Sequence, residues 1–138
     1  SHGIDLDHWR VPVARSPRLD GLEPPIVLCW GLIDRRLDTD VLRAVNDRMN
    51  VGTIVLAGPQ QDPDPILDDL SRTRRIGPVP YADLPALAAG ASVLVMPYAD
   101  LPVTRAMQPL KLKEYLACDL PVVCSALPAV DAWRDCLD

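Results

Sequence analysis

The stretch Pro109-Leu110-Lys111-Leu112-Lys113-Glu114-Tyr115-Leu116-Ala117 gathers charged side chains that the rest of the chain uses sparingly. Elsewhere positive charge is carried by Arg and negative charge mostly by Asp. The chain's only lysines are Lys111 and Lys113, and its only glutamates are Glu23 and Glu114. Both lysines and one glutamate therefore fall within four consecutive positions. An apolar run ends shortly before, and Pro109 suits the first position of a helix. Such a helix presents free backbone N–H groups, two ammonium groups and then a carboxylate near one end. That arrangement suits a ligand with phosphate at one end and neighbouring hydroxyls at the other. A solvated first turn with Lys–Glu pairing accounts for the same residues, and local sequence does not separate the two readings.

The elements that would position this helix are short and regular. Residues 1–24 are polar and Arg-rich and read as a linker or lead-in; residues 25–138 read as one domain. Ile26-Val27-Leu28-Cys29-Trp30, Thr53-Ile54-Val55-Leu56-Ala57, Ser92-Val93-Leu94-Val95-Met96-Pro97 and Pro121-Val122-Val123-Cys124-Ser125 are continuous apolar runs, as expected of strands buried on both faces. A weaker strand is expected near Arg75-Ile76-Gly77. Between the strands, Val41, Leu42, Val45 and Met49 follow helical spacing after an N-cap at Asp38. Ile66, Leu67 and Leu70 predict a second helix, and Leu84, Leu87 and Ala88 a third after Asp83. A last helical stretch is expected around Ala129–Cys136. Strict alternation of strand and helix predicts an α/β, Rossmann-like, doubly wound parallel sheet flanked by helices. Right-handed crossovers then gather the loops after the strands along one edge, where such sheets bind ligands. That edge holds Gly31, Arg35 and Arg36 after strand one, and Arg105, Lys111 and Glu114 after strand four.

Composition excludes several functions. Net charge of −5 and a pI near 4.9 oppose broad binding to a phosphate backbone, so nucleic acid is not an expected partner. No apolar stretch approaches the ~20 residues that span a bilayer. Cys29, Cys118, Cys124 and Cys136 form no CxxC pair, and Cys29 and Cys124 sit in apolar runs as buried thiols. With no disulfide framework, the expected location is cytoplasmic. Asp38-Thr39-Asp40 has the spelling of a metal motif but reads as a helix N-terminus, so no metal is expected. His2 and His8 both lie in the lead-in, where neither is a convincing base.

Six stretches, in order, resemble the C-terminal donor-binding domain of retaining GT-B glycosyltransferases (group 1, family 4-like). They are Gly3–Trp9, Gly31–Asp38, Val55–Pro59, Ile76–Pro85, Val95–Tyr98 and Thr104–Val123. The last is similar to the pattern TxAxxPLKxxEYLAxGxPVV. The resemblance implies a nucleotide-sugar site and gives its residues roles. Glu114 would accept hydrogen bonds from ribose hydroxyls. Backbone amides around Pro109, Leu110 and Lys111 would hold the diphosphate. Arg35 or Arg36, beside the Gly31 loop, would add charge-assisted contacts, and the backbone near Val79 would read the base. Three positions depart from the pattern: Ala106 where many relatives carry a sugar-contacting glutamate, Leu32 in place of an arginine, and Asp119 in place of a glycine.

By this resemblance the chain is one half of a longer enzyme that moves a sugar from a nucleoside diphosphate to an acceptor hydroxyl in polysaccharide or glycolipid synthesis. The donor is a substrate and no cofactor is expected. The preceding acceptor domain would be the partner, carrying any base and any membrane contact, peripheral at the inner membrane. The fragment alone is expected to be inactive, with Val130, Trp133 and Leu137 leaving apolar surface that could pair two copies. A non-catalytic nucleotide- or protein-binding module is the alternative. A phospho-receiver domain fits poorly, because Gly31-Leu32-Ile33 stands where an acidic pair is needed.

Overall fold

The computed structural model describes residues 4–106 and 110–125. Among the described residues, five parallel strands form the centre: β1 (Ile26–Trp30), β2 (Thr53–Ala57), β3 (Thr73–Gly77), β4 (Val93–Met96) and β5 (Val122–Cys124). Their order across the sheet is β3-β2-β1-β4-β5. β1 and β2 run in register from Ile26 opposite Thr53 to Trp30 opposite Ala57. β4 pairs the other edge of β1, with Val27 opposite Val93. The winding direction reverses between β1 and β4, the switch point beyond whose strand C-termini sheets of this kind bind ligands.

The apolar runs became strands for the reason their composition implies. β2 is buried at all five positions, and Leu28, Ile54, Leu56 and Leu94 are fully buried. Each such side chain withdrawn from water contributes about 1.5–3 kcal/mol. The strand expected near Arg75 starts earlier, at Thr73, because Asn46 caps its entrance. The buried Asn46 Oδ1 accepts from the Arg72 N–H at 2.9 Å and from the Thr73 hydroxyl at 3.2 Å.

Among the described residues, α1 (Leu6–Arg10) precedes the sheet, and α2 (Thr39–Arg48), α3 (Leu84–Ala89), α4 (Pro102–Arg105) and α5 (Leu110–Ala117) lie between its strands. Asp38 caps α2 as expected, accepting from the amides of Asp40 and Val41 at 3.1 and 3.2 Å. The apolar stripe of α2 is only partly covered: Leu42 is buried, whereas Val41 and Val45 are exposed. The helix expected around Ile66 and Leu67 is instead a 3-10 turn, Pro65–Asp69. Asp64 caps that turn through the Ile66 amide at 3.0 Å, and β3 follows four residues after its end, which leaves no room for a second turn.

The lead-in is more ordered than its polar composition implies. Asp5 caps α1, and Trp9 and Leu19 join the hydrophobic core. α1 packs against α3 and α5. Asp119 adopts φ +57°, so the aspartate that replaces a glycine does take the left-handed conformation after α5. No helix among the described residues is long and apolar enough to cross a membrane. The helix expected around Ala129–Cys136, with Val130, Trp133 and Leu137, lies outside the described residues, and so does Pro109.

Candidate functional site

The site is built where α5 docks onto the end of β1. Leu112 and Tyr115, three residues apart on α5, are both fully buried and hold the helix against the sheet. The Tyr115 hydroxyl accepts from the Trp30 N–H at 2.9 Å and lies 3.4 Å from the Trp30 carbonyl oxygen. α5 is thus pinned to the last residue of β1 by a bond between sequence positions 30 and 115. Burial pushes the Tyr115 hydroxyl well above the usual phenol range, so it stays protonated.

Lys111 and Glu114 are also three residues apart and share the neighbouring face of α5. Both reach the β1 terminus. Glu114 Oε1 accepts from the Trp30 indole Nε1–H at 3.3 Å. The Lys111 ammonium lies directly over Gly31 and donates to the Tyr98 hydroxyl. It is therefore not a freely solvated charge on the helix surface, and among the described residues no carboxylate pairs with it. Its charge is close enough to Cys29 to oppose, without overcoming, the rise that burial imposes on that thiol.

Gly31 makes this approach possible. Its φ is +134°, and a Cβ there would fall on Lys111 Nζ. Gly58 serves the same loop from the other side, because a Cβ at Gly58 would strike the Gly31 carbonyl oxygen. The β1 and β2 loops consequently meet backbone to backbone, with the Gly31 N–H donating to the Ala57 carbonyl at 2.9 Å.

Arg36 comes to the same place by a different route. Its guanidinium carbon lies 5.7 Å from the centre of the buried Tyr98 ring, and Lys111 Nζ lies 5.1 Å from that centre. Two cations thus meet at one tyrosine, Arg36 near the ring and Lys111 at the hydroxyl. Asp34 orients Arg36 through bonds of 3.0 Å from Nε to both carboxylate oxygens. Arg35 points elsewhere: its Nε donates to the Asp62 carbonyl at 3.0 Å, and it forms an exposed pair with the Asp62 carboxylate at 3.6 Å. Asp34, Arg35, Arg36 and Asp62 line an open depression of about 290 Å³ with Gln61, Leu101 and Val103.

Of the residues singled out in the sequence, Gly31, Arg36, Lys111 and Glu114 converge. Leu110 is the first residue of α5. Val79 is half-buried against the core in the connection after β3, two residues before Tyr81. Sequence reasoning assigned no role to Tyr98, Trp30 or Asp34. An aromatic chain also escaped it: Tyr81 stacks on His8 at 4.1 Å, and Trp9 stacks on Trp30 at 5.4 Å. The available signal was a Trp ending an apolar strand, a position where the indole N–H needs a partner once the ring is buried. Among the described residues no three His, Cys, Asp or Glu side chains form a group that could hold a metal.

A five-stranded parallel sheet with helices on its flanks defines an α/β, Rossmann-like domain. The profile of the family described as Glycosyl transferases group 1 matches residues 25–135, and the chain belongs to that family. Among solved structures, sucrose-phosphate synthase from Thermosynechococcus elongatus is similar in fold, with a TM-score of 0.57 and 24% sequence identity. The match covers 78% of this chain and 29% of that protein, so the chain corresponds to a minor part of that enzyme's length. No match is found among curated proteins.

Proposed function

We propose that this chain is the nucleotide-sugar donor domain of a retaining, metal-independent glycosyltransferase. The observation that carries the reading is the convergence of Gly31, Lys111 and Glu114 at the sheet's switch point. It puts an ammonium and a carboxylate side by side on α5, as a ribose diphosphate requires. Glu114 accepts from the ribose hydroxyls. Lys111, Arg36 and the first amides of α5 hold the diphosphate. The backbone near Val79 reads the base. In transfer, the bond from the anomeric carbon to the diphosphate oxygen breaks and negative charge develops on the departing phosphate. Fixed donors at that oxygen stabilise the transition state more than the ground state. The acceptor hydroxyl, and the base that takes its proton, would belong to an acceptor domain facing this one. Polysaccharide or glycolipid synthesis is the pathway class we assign.

Titration calorimetry with UDP, GDP, ADP and their sugars tests the reading. Binding of one of these, weakened about tenfold or more by Glu114→Ala, supports it, since a hydrogen bond to a charged group is worth ~1.5–3 kcal/mol. Equal affinity of wild type and variant would falsify the assignment of Glu114. A second reading, a non-catalytic nucleotide-binding module, is favoured by Ala106. This exposed residue at the end of α4 offers no carboxylate to a donor sugar. Sugar transfer by a protein containing this chain and an acceptor domain decides between them.

A further inference from the structure

Glu114 is not left to find its own orientation. The indole that binds it is fixed on every side. Trp30 is only 4% exposed, and its ring lies face to face with Trp9 at 5.4 Å and an interplanar angle of 7°. The Tyr115 ring meets it edge-on at 4.3 Å and 69°. The Trp30 backbone N–H is held by the Tyr115 hydroxyl. A rigid N–H donor therefore meets the end of a side chain that, on an open helix face, would sample many rotamers. A carboxylate has about four lone-pair directions, and the indole occupies one of them. The others remain to accept from a second donor pair.

We propose that Trp30 is a positioning residue that presets the Glu114 carboxylate for a vicinal diol, so that selection of ribose over deoxyribose depends on the indole N–H. The inference rests on the reading of this edge as a nucleoside diphosphate site and goes beyond it, because it assigns sugar discrimination to a strand residue that does not touch the ligand. Preordering helps the diol alone. The diphosphate is held by Lys111, Arg36 and α5 amides, which do not need Glu114 in one rotamer.

Trp30→Phe keeps an aromatic ring between Trp9 and Tyr115 and removes the N–H donor together with the rest of the five-membered ring, whose lost packing would bear on all ligands alike. The measurement is the affinity ratio between a ribonucleoside diphosphate and its 2′-deoxy form, using whichever of UDP, GDP or ADP binds tightest, with inorganic pyrophosphate as the diphosphate control. In the wild-type chain the ratio should be about tenfold in favour of ribose. In Trp30→Phe it should fall several-fold, with the deoxy form, which offers Glu114 only its 3′-hydroxyl, weakened less than the ribose form and pyrophosphate bound as in wild type. A general structural defect would weaken all three ligands together and would overturn the proposal. So would an unchanged ratio. Tighter ribonucleotide binding by the variant would also overturn it, showing that the indole competes with the diol. Glu114→Gln separates the two levels of the argument. If it erases the ratio and Trp30→Phe does not, the positioning role alone fails. If the wild-type chain binds none of the diphosphates, the site reading fails and the positioning role with it. Should Trp30→Phe not fold, nitrogen-15 spectra of the otherwise unaltered chain supply the test. One indole N–H signal should shift in Glu114→Gln, and the same signal should respond to the ribose form more than to the deoxy form. Absence of either response refutes the proposal.

Discussion

Replacing Gly31 with Ala perturbs the site in two separable ways. The first is backbone strain. Gly31 holds φ +134°, a region that residues with a Cβ rarely enter, and forcing one there costs about 1–3 kcal/mol. For a domain of this size each kcal/mol lowers Tm by about 3–4 °C, so a fall of roughly 3–12 °C is expected. The second effect is steric. The new methyl would occupy the place of Lys111 Nζ, which is the mobile end of a long side chain. Moving it costs little stability, but it takes the ammonium away from Tyr98 and from the diphosphate position. Loss of one charge-assisted contact corresponds to about tenfold or more in affinity. The assay is a double-mutant cycle of Gly31→Ala with Lys111→Ala, read by calorimetry with a nucleoside diphosphate and by thermal melting. If the methyl acts through Lys111, the binding losses are strongly non-additive, and the double variant binds about as weakly as either single one. The melting losses should add more nearly, because the strain does not pass through Lys111. Full additivity in binding, or wild-type affinity in Gly31→Ala, would refute the account of Gly31 as the residue that admits Lys111.

Other consequences are as direct. Tyr115→Phe leaves the buried Trp30 N–H without its acceptor and should cost about 1–3 kcal/mol, measured as a shift in denaturant midpoint at constant slope. Asp38→Ala removes the N-cap of α2 and should cost about 1 kcal/mol by the same measurement, without changing nucleotide affinity. Alkaline pH should destabilise the fold. Burial, with a contribution from Glu114, pushes the Cys118 thiol from 9.0 up to about 12, so the folded state keeps a proton that the unfolded state releases. The stabilisation is complete below pH 9 and is lost as pH rises from 9 towards 12. Cys29 and Tyr115 are shifted in the same direction by burial. Cys118→Ala should flatten the decline in melting temperature over that range, and an unchanged slope would count against the shift.

Much of this protein can be read from residue order because its signals are local. A strand buried on both faces needs a continuous apolar run, and Ile26–Trp30 and Thr53–Ala57 are such runs. A helix start needs an acceptor for its free amides, and Asp38 supplies it whatever else surrounds it. The alternation of these elements then predicts the parallel, doubly wound sheet, and the clustering of Lys111 and Glu114 marks the edge worth inspecting. Where local signals compete, residue order says less. Asn46 moves the start of β3, and the approach of β3 shortens the Ile66 segment to a 3-10 turn.

The chemistry of the edge was decided by partners distant in sequence. Nothing around position 111 indicates that its ammonium turns onto Gly31 and Tyr98. Nothing around position 35 indicates that Arg35 pairs with Asp62 while Arg36 flanks Tyr98. Nor does the end of β1 announce that Trp30 bonds Glu114, 84 residues away. Residue order determined which functional groups the protein owns and which elements carry them, because propensity, capping and hydrophobic period act over a few residues. Tertiary structure alone decided which groups meet, because a hydrogen bond or a charge contact acts over a few ångströms between elements that only the folded sheet brings together.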